Sequence, residues 1–370
     1  AEVTRANHGH KEATMEYRQL GRSGLRVSAL ALGTMTFGGK GPFADVGQTG
    51  AEDAGRVLDC CIEAGVNLID TADVYSAGAS EEIVGQVIKG RRDDLLIATK
   101  CRFPTEPGPN GAGSSRYHIL RSLEGSLRRL GTDHVDLFQL HGWDGQTALE
   151  EPLSTLDTAV SSGKVRYVGC SNYSAWHLMK AMAVAERKGF EPFASHQIYW
   201  SLIGRDAEVE VVPATVDQGL GILAWSPLAG GLLTGKYRRD MKPTGQARHL
   251  TQWSEPPIYD QDKVYDVIDV LVEVAGGHGV PPAQVALAWL LRKPGLSSVI
   301  VGARNADQVS QLLGAVNLKL GADEVARLDE VSRSPLPYPL WHQRNAASER
   351  LSPPDHIALA SGGWQPQEGL

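Results

Sequence analysis

The chain has 370 residues and a mass of 39.8 kDa; 42% of its residues are hydrophobic and 21% are charged. This size and balance fit one large domain or two ordinary ones, and they exclude wholesale disorder and a fibrous protein. No apolar run approaches the roughly 20 residues that a membrane-spanning helix needs. The formal charge is -7 and no block is rich in Lys or Arg, so neither a membrane nor a nucleic acid is expected as a partner.

Cysteine usage indicates a reducing compartment. Four cysteines are too few for a disulfide scaffold, and no CxxC spacing indicates zinc or redox chemistry. We expect four reduced thiols in a cytoplasmic protein without a bound metal. Cys101 and Cys170 have no visible base or partner thiol, so thiol catalysis is not expected. Residues 1–14 are polar and lack an apolar signal segment; they are expected to be a disordered leader or a remnant of cloning.

Short apolar runs alternate with amphipathic stretches from residue 28 to residue 302. Such runs are typical of parallel strands whose two faces are both buried. The stretches between them, such as 53–64, 119–130 and 283–291, have helical periodicity. The pattern predicts an α/β fold of the closed (β/α)8, or TIM, barrel type, with an open doubly wound sheet as the alternative. The predicted strands are 28–33, 66–70, 95–100, 135–141, 165–169, 194–197, 221–225 and 298–302.

Three segments depart from this alternation. Residues 17–20 and 25–27 flank the turn Gly21-Arg22-Ser23-Gly24, which predicts an N-terminal β-hairpin that plugs one mouth of the barrel. After the seventh strand, residues 230–262 are rich in Gly, Pro and charge, and a loop this long is usually functional, here a candidate lid. The segment 334–370 is predicted to be an extended tail packed over the barrel. The predicted boundaries are 1–14 for the leader, 15–333 for the barrel and 334–370 for the C-terminal extension.

Four ionisable groups of different types follow predicted strands at one rim of the barrel. Catalytic groups of such barrels project from the carboxyl ends of the strands. The second strand ends in Asp70, and Tyr75 follows shortly after it. The third strand ends in Lys100 and the fourth in His141. The next two strand ends add Ser171, Asn172 and Gln197.

This quartet fits proton donation to a carbonyl oxygen. A tyrosine phenol, with a pKa of about 10, is too weak an acid on its own near neutral pH. An ammonium about 4 Å away favours the phenolate by about 4 kcal/mol, or roughly three pKa units before burial opposes it. Lys100 is placed to do this for Tyr75, with Asp70 holding the lysine charged. A neutral His141 would orient the substrate oxygen.

Simpler interpretations apply to each residue taken alone. Asp70 and Lys100 can form a structural ion pair, and His141 can be a core histidine. A barrel isomerase or lyase that uses Lys100 as a Schiff base is a further alternative. Asp73 is interpreted as a loop-shaping or solvated carboxylate without a catalytic role.

Seven segments carry a family resemblance in colinear order. They are GRSGLRVSALALGTMTFGG, NLIDTADVYSAGASEEIVG, IATK, VDLFQLHGWD, VGCSNYS, LAWSPLAGGLLTGKY and VIVGARNADQV. From residue 17 to about residue 331 the chain resembles the aldo-keto reductase superfamily, in its bacterial-type, potassium-channel β-subunit-like branch. The resemblance implies a TIM barrel that binds NADPH without a Rossmann domain, and no GxGxxG follows a strand here. It implies catalysis by Asp70, Tyr75, Lys100 and His141.

The resemblance also implies cofactor contacts. Ser171, Asn172 and Gln197 match residues that hydrogen-bond the nicotinamide carboxamide, and Trp225 matches an aromatic ring stacked on the nicotinamide. Asp70 is also expected to lie against the cofactor. The remaining positions match the nicotinamide floor (Gly33, Thr34, Met35), the pyrophosphate loop (Ser226, Pro227, Leu228, Gly230), a basic phosphate contact (Lys236) and the adenosine-phosphate site (Gly302, Arg304, Gln308, Gln311).

Arg304 favours NADPH over NADH, because a guanidinium can grip a 2′-phosphate through its planar fork. Leu312 departs from the family, since many members have an asparagine there that contacts adenine. We therefore expect NADPH/NADP+ as the cofactor, with a rearranged adenine site.

The expected function is NADPH-dependent reduction of an aldehyde or ketone to an alcohol, with Tyr75 as general acid. Phe103, Trp143 and Trp200 are interpreted as an aromatic entrance that suits a bulky carbonyl, such as a cyclic ketone or keto-sugar. The alternative is a nicotinamide-binding regulatory subunit with slow or vestigial reductase activity. The sequence leaves the oligomeric state open. Loops expected to select the substrate are 37–48, 103–117, 142–146, 199–204 and the tail around Trp341.

Overall fold

The structure is a computed structural model that describes residues 15–239, 256–346 and 350–364. Eight parallel strands form a closed barrel in which each strand pairs with the next one in sequence, and the last strand pairs with the first. The predicted (β/α)8 barrel is confirmed, and the open sheet is wrong. The leader predicted for residues 1–14 lies outside the described residues. The strands are β1 Tyr17–Gln19, β2 Arg26–Ser28, β3 Leu30–Gly33, β4 Leu68–Asp70, β5 Leu96–Cys101, β6 Val135–Leu140, β7 Val165–Ser171, β8 Ser195–Tyr199, β9 Gly221–Trp225 and β10 Leu296–Gly302.

Helix α3, Arg116–Leu130, shows how the sequence sets the helices that surround the barrel. The Ser115 hydroxyl accepts a hydrogen bond from a backbone N–H of the first turn, which caps the helix. Ile119 and Leu123, one turn apart, are fully buried against the barrel. Gly131 ends the helix in the left-handed conformation, at φ 64°. The other helices are α1 Ala51–Glu63, α2 Ala79–Val87, α4 Glu150–Ser161, α5 Ala175–Lys188, α6 Val211–Asp217, α7 Gln261–His278, α8 Pro282–Leu290, α9 Ala306–Leu313, α10 Ala322–Ser332, α11 Leu340–Ala346 and α12 Pro353–Ser361.

The predicted hairpin is formed by β1 and β2 and closes the N-terminal end of the barrel. Leu20 and Val27 are fully buried and pack with residues that point into the barrel, including Leu68 and Leu223. The turn of the hairpin needs a glycine, because a Cβ on Gly21, whose φ is 59°, would lie 2.4 Å from the Gly219 carbonyl oxygen. The hairpin is therefore part of the core as well as a plug.

The segment after residue 333 is not the extended tail that its prolines predicted. It forms α11 and α12, and α12 packs against α6 outside the barrel wall. Leu340, Ala358 and Leu359 are buried in a small apolar cluster of their own. The predicted conformation is wrong because Pro353 occupies the start of α12, where the ring fits the helix and no N–H is needed.

The long connection after β9 starts with a short 3-10 helix, Ala229–Thr234. It leads to α7, which begins at Gln261. Residues 240–255 of the predicted lid lie outside the described residues.

Candidate active site

Lys100 is the centre of a buried polar cluster at the C-terminal end of the barrel. Its side chain is fully buried at the end of β5. The ammonium Nζ lies 2.5 Å from Asp70 Oδ1, 2.8 Å from the Thr71 carbonyl oxygen and 3.3 Å from Tyr75 Oη. Asp70, Lys100 and Tyr75 therefore form one hydrogen-bonded chain, as their positions at neighbouring strand ends predicted.

Two glutamine side chains also contact the Asp70 carboxylate. Its Oδ2 atom accepts a hydrogen bond of 2.9 Å from the Gln197 side-chain amide, and the Gln139 amide lies at 3.5 Å. Gln197 thus contacts the Asp70 carboxylate, a contact that the sequence did not indicate. Sequence reasoning missed Gln139, although a glutamine inside the apolar run VDLFQL of β6 was a visible signal.

His141 lies beside this chain. Its ring centroid is 5.8 Å from that of Tyr75 and 4.6 Å from that of Phe103. Burial, together with the positive charges of Lys100 and Arg102, holds the pKa of His141 well below its ordinary value. The imidazole is therefore neutral at pH 7. Its Nδ1 atom is buried and has no hydrogen-bond partner among the described residues.

The pKa of Tyr75 lies above the ordinary value for a tyrosine. Burial raises the pKa of the phenol, and the ammonium of Lys100 opposes this without reversing it. The Lys100 ammonium favours the phenolate, as expected, but loss of solvation outweighs the attraction of one ammonium that also serves Asp70. The phenol is therefore protonated at neutral pH.

Lys100 is held in its charged form. Burial lowers the pKa of the ammonium, but the Asp70 carboxylate and the Tyr75 hydroxyl raise it further, so the net shift is upward. A Schiff base needs a neutral, accessible amine. The geometry therefore opposes the isomerase or lyase alternative.

The residues expected to contact the nicotinamide divide into two sets. The Ser171 hydroxyl is buried and has no hydrogen-bond partner in the described part of the chain, so it is available to a ligand. Asn172 is already engaged: its amide donates to the His141 carbonyl oxygen (3.1 Å), and its oxygen accepts from the Trp225 indole (3.0 Å). Trp225 also packs against Tyr199, with ring centroids 5.2 Å apart.

The three residues expected to form the nicotinamide floor differ in burial and in contacts. The Thr34 hydroxyl is buried and lies 3.0 Å from the Asp70 carbonyl oxygen and 2.9 Å from Ser80 Oγ. Gly33 is buried where a Cβ would lie 2.7 Å from the Ile300 side chain. Met35 is partly exposed at the end of β3.

The expected phosphate and adenosine positions lie after β9 and β10. Arg304 donates from its guanidinium to the Val46 carbonyl oxygen (3.1 Å), and its backbone N–H donates to Gln308 (3.0 Å). Leu312 is buried in the core. The other positions are exposed at Lys236, Gln311 and Gly302, partly exposed at Ser226, Leu228 and Gly230, and buried at Pro227.

Non-glycine residues with a left-handed backbone mark the C-terminal rim. All six in the described ranges follow the end of a barrel strand. Such conformations cost about 1–3 kcal/mol each and cluster at functional sites. The six are Ser76, Ala77, Arg102, Asn172, Ser226 and Ala229.

The expectation for Trp200 is wrong, and so is one of the two interpretations of Asp73. Trp200 is only 1% exposed and donates its indole N–H to Glu208, so it cannot wall a substrate entrance. Asp73 is 2% exposed, which excludes a solvated carboxylate. Phe43 was missed, although its ring lies 5.5 Å from that of Tyr75; an isolated aromatic in a loop has no periodic pattern that would identify it.

Trp143 and Trp341 lie away from the quartet. The Trp143 ring stacks on His177 of α5, with centroids 3.8 Å apart. Trp341 is exposed on α11. Of the residues expected at the entrance, Phe103 is the one whose ring contacts a member of the quartet.

Known protein families include one whose sequence pattern matches this chain. A model of the Aldo/keto reductase family matches residues 29–333. The chain belongs to the aldo/keto reductase family. The resemblance that the sequence motifs indicated is thereby confirmed.

Three relatives of this aldo/keto reductase match it over nearly their whole length. An uncharacterized oxidoreductase of Bacillus subtilis (strain 168), YrpG, is 40% identical over 332 residues, which cover 87% of this chain and 97% of the relative. A probable voltage-gated potassium channel subunit beta of Arabidopsis thaliana is 36% identical, covering 82% and 92%. The versiconal hemiacetal acetate reductase of Aspergillus parasiticus is 35% identical, covering 85% and 96%. The protein is accordingly an oxidoreductase of this family.

Residues 15–239, 256–346 and 350–364 contain no group of three His, Cys, Asp or Glu side chains that could hold a metal ion. No helix within them is long and apolar enough to cross a membrane. All four cysteines are free thiols; burial raises the pKa of Cys101 and Cys170 well above the ordinary value, so both stay protonated.

Proposed function

We propose that this protein reduces an aldehyde or ketone to an alcohol with NADPH, and that Tyr75 donates the proton. The observation that carries the proposal is the chain of contacts from Asp70 through Lys100 to Tyr75 beside a neutral His141. These four groups meet the requirements of one reaction, since a carbonyl oxygen that becomes an alkoxide needs a proton donor and a hydrogen-bonding group to orient it.

Residues of this chain supply the proton transfer. Bound NADPH would supply the hydride that adds to the carbonyl carbon. The Tyr75 phenol gives its proton to the carbonyl oxygen, which completes the alcohol and leaves a phenolate. Phenol is a much stronger acid than an alcohol, so the transfer is downhill even though burial raises the pKa of Tyr75. The Lys100 ammonium, 3.3 Å away, stabilises the phenolate.

The residues present fit a nicotinamide dinucleotide. Buried polar groups normally have hydrogen-bond partners, yet Ser171 Oγ and His141 Nδ1 have none among the residues described. Ser171 would hold the nicotinamide carboxamide, and Trp225 would lie against the ring. Arg304 would pair with a 2′-phosphate after β10, which favours NADPH over NADH.

Two aromatic rings support an apolar carbonyl substrate. Phe43 contacts the Tyr75 ring edge-on, and Phe103 contacts the His141 ring edge-on. The two residues proposed to hold the substrate oxygen are thus flanked by apolar rings. A bulky ketone without charge near the carbonyl suits such walls better than a small carboxylated aldehyde.

A substrate panel tests this function. Purified protein is incubated with NADPH and aldehydes, keto-sugars, cyclic ketones or carboxylated aldehydes, and the absorbance of the reduced nicotinamide is followed. We expect repeated turnover, fastest with uncharged cyclic ketones. Absence of turnover with every carbonyl compound overturns the reductase proposal, and activity confined to small carboxylated aldehydes overturns the substrate class.

The relative named as a potassium channel subunit favours one second candidate. In this alternative the protein binds the cofactor as a regulatory subunit with vestigial reductase activity. A single-turnover experiment separates the two functions. Oxidation of one NADPH per protein, with no further turnover in excess ketone, supports the regulatory candidate.

A further inference from the structure

The turn that carries Tyr75 is strained and must be held in place by its neighbours. Ser76, Ala77 and Gly78, directly after Tyr75, have φ values of 51°, 54° and 89°. A left-handed conformation costs roughly 1–2 kcal/mol for each residue with a Cβ. The turn therefore persists only because surrounding contacts determine it.

On one side the turn is fixed to the loop after β3. The Ser76 hydroxyl donates to the Phe37 carbonyl oxygen (2.9 Å) and accepts from the Gly39 backbone N–H (3.0 Å). These contacts hold Ser76 itself, but they do not reach β5, where Lys100 lies.

On the other side the turn rests on an ion pair between the partly exposed Arg129 and the buried Glu81. A Cβ on Gly78 would lie 2.8 Å from Arg129 Cδ, so the Arg129 side chain lies directly against the turn. Arg129 Nε donates to Glu81 Oε2 at 2.7 Å, and Glu81 is fully buried. Its other oxygen accepts from the Thr99 hydroxyl at 2.6 Å. Thr99 precedes Lys100 on β5, so these contacts link the Tyr75 turn to the strand that carries Lys100.

Asp73 is a second buried carboxyl beside this ion pair. Its backbone N–H donates to the Lys100 carbonyl oxygen (3.1 Å), while neither side-chain oxygen has a well-formed hydrogen bond within the described ranges. Burial and the charge of Glu81 raise the pKa of Asp73 to about 8. The groups that face it from the elements around it are Glu81 of α2, Ser122 and Arg129 of α3, Cys101 of β5 and Tyr75.

We propose that Glu81 is a positioning residue that fixes Tyr75 relative to Lys100, and that ionisation of Asp73 disturbs it. With Asp73 neutral, Arg129 serves Glu81 alone. With Asp73 charged, two carboxylates compete for one guanidinium and repel each other, so the support of the Tyr75 turn loosens. The inference rests on the proposed role of Tyr75 as proton donor.

Glu81→Gln tests the positioning role. This variant keeps the side-chain shape and removes the charge that pairs with Arg129. We expect kcat to fall by about 10- to 100-fold, the size of effect that a small misplacement of a catalytic group produces, with little change in the affinity for NADPH. Thr99→Val should lower kcat in the same direction, and Thr99→Ser, which keeps the hydroxyl, should restore it.

Glu82→Gln is the matched control, because Glu82 is the next residue of α2 and is exposed. It should leave kcat unchanged. Equal kcat for Glu81→Gln, Glu82→Gln and the unsubstituted protein overturns the positioning role.

Asp73→Asn tests the ionisable neighbour. The kcat of the unsubstituted protein should fall above about pH 8, and this fall should disappear in Asp73→Asn. Glu81→Gln should also lack this fall, because no second carboxylate then competes with Asp73 for Arg129. A merely structural role moves neither pH profile, so unchanged profiles overturn the inference.

Unfolding measurements separate this inference from the proposed function. Asp73 has a raised pKa in the folded state, so the folded protein retains a proton that the unfolded chain has lost, and the contribution of this residue to stability falls as pH rises from about 4 to about 8. Asp73→Asn should lack that fall in urea titrations, which need no substrate. If the unsubstituted protein turns over no carbonyl compound, the proposed function fails. Identical unfolding profiles for the two proteins overturn the inference itself.

Discussion

The two ends of the barrel differ in which residue types adopt the left-handed backbone conformation. At the N-terminal end, the turns that lead into strands place glycine at positive φ, as at Gly65, Gly131 and Gly219. At the C-terminal end, residues with side chains adopt the same conformation, as at Ser76 and Asn172. Glycine accepts positive φ without steric cost, so the N-terminal turns are relaxed while the C-terminal turns are strained. The N-terminal end therefore contributes mainly to stability, whereas the C-terminal end positions side chains.

Removal of the Tyr75 hydroxyl should have the largest effect. We expect Tyr75→Phe to lower kcat by about 10³-fold, within the usual range for loss of a general acid. NADPH affinity and the unfolding midpoint should change little. Steady-state kinetics with the best ketone of the panel measure the effect.

The same substitution at the other end is the control. Tyr17 in the hairpin donates from its hydroxyl to the Gly65 carbonyl oxygen at 2.7 Å. Tyr17→Phe should reduce stability by about 1 kcal/mol and leave kcat unchanged. Similar kcat values for the two variants contradict the proposed role of Tyr75.

Truncation of the plug should affect stability alone. Leu20 is fully buried between the hairpin and the barrel interior. Leu20→Ala should lower the free energy of unfolding by about 3 kcal/mol, because it leaves a cavity. Urea titration measures this loss, and Leu120→Ala on the exposed face of α3 is the control. A fall in kcat under conditions where Leu20→Ala is fully folded would mean that the two ends are coupled.

Acid should destabilise the protein through a histidine in the barrel wall. Burial lowers the pKa of His196 from 6.5 to about 3, and its Nε2 atom accepts a hydrogen bond from the Tyr173 backbone N–H. Below pH 6.5 His196 becomes protonated in the unfolded chain but stays neutral in the folded protein, so its contribution to stability falls as pH falls. At pH 5 the loss from this residue is about 2 kcal/mol.

Urea titrations at several pH values check this loss. His196→Gln should show a shallower decline between pH 6.5 and pH 5 than the unsubstituted protein. Part of the remaining decline is assigned to His141, whose pKa is well below the ordinary value, and part to His118 and His177, whose pKa burial also lowers. Equal slopes in the two proteins refute the assignment to His196.

Substitution of Arg304 should have the smallest effect. Arg304→Ala should weaken NADPH binding by about tenfold, the value of one charge-assisted contact to a phosphate, and NADH binding much less. Titration of intrinsic fluorescence with each cofactor measures both affinities. An equal loss of affinity for the two cofactors would show that Arg304 does not bind the 2′-phosphate.

The barrel was predictable because its signals are local and repeated. Each strand is an apolar run, and the observed bounds differ from the predicted ones by only a few residues. The hairpin was predictable from Gly21 and Gly24. The quartet followed from the rule that strand ends of a barrel meet at one rim, which converts distant sequence positions into neighbours.

What escaped prediction depends on packing between distant elements. The burial of Trp200 is set by its partner Glu208, and that of Asp73 by α2 and α3; no sequence period encodes either contact. The pKa of Tyr75 depends on the balance between burial and one ammonium, which spacing alone cannot give. The helix α12 had a visible signal, Ser352 followed by Pro353 and Asp355, which forms a capping box.

Closure of the barrel has a consequence for how the chain reaches its native state. The first barrel strand, β3, pairs with the last one, β10, and Ser297 of β10 donates to the Gln19 carbonyl oxygen of the hairpin, 278 residues away. During synthesis the edge of β3 that pairs with β10 therefore stays unpaired until nearly the whole barrel has left the ribosome. Contacts this distant in sequence slow folding and expose apolar edges to aggregation. A chain that stops before β10 should accordingly depend on chaperones and be cleared by proteases.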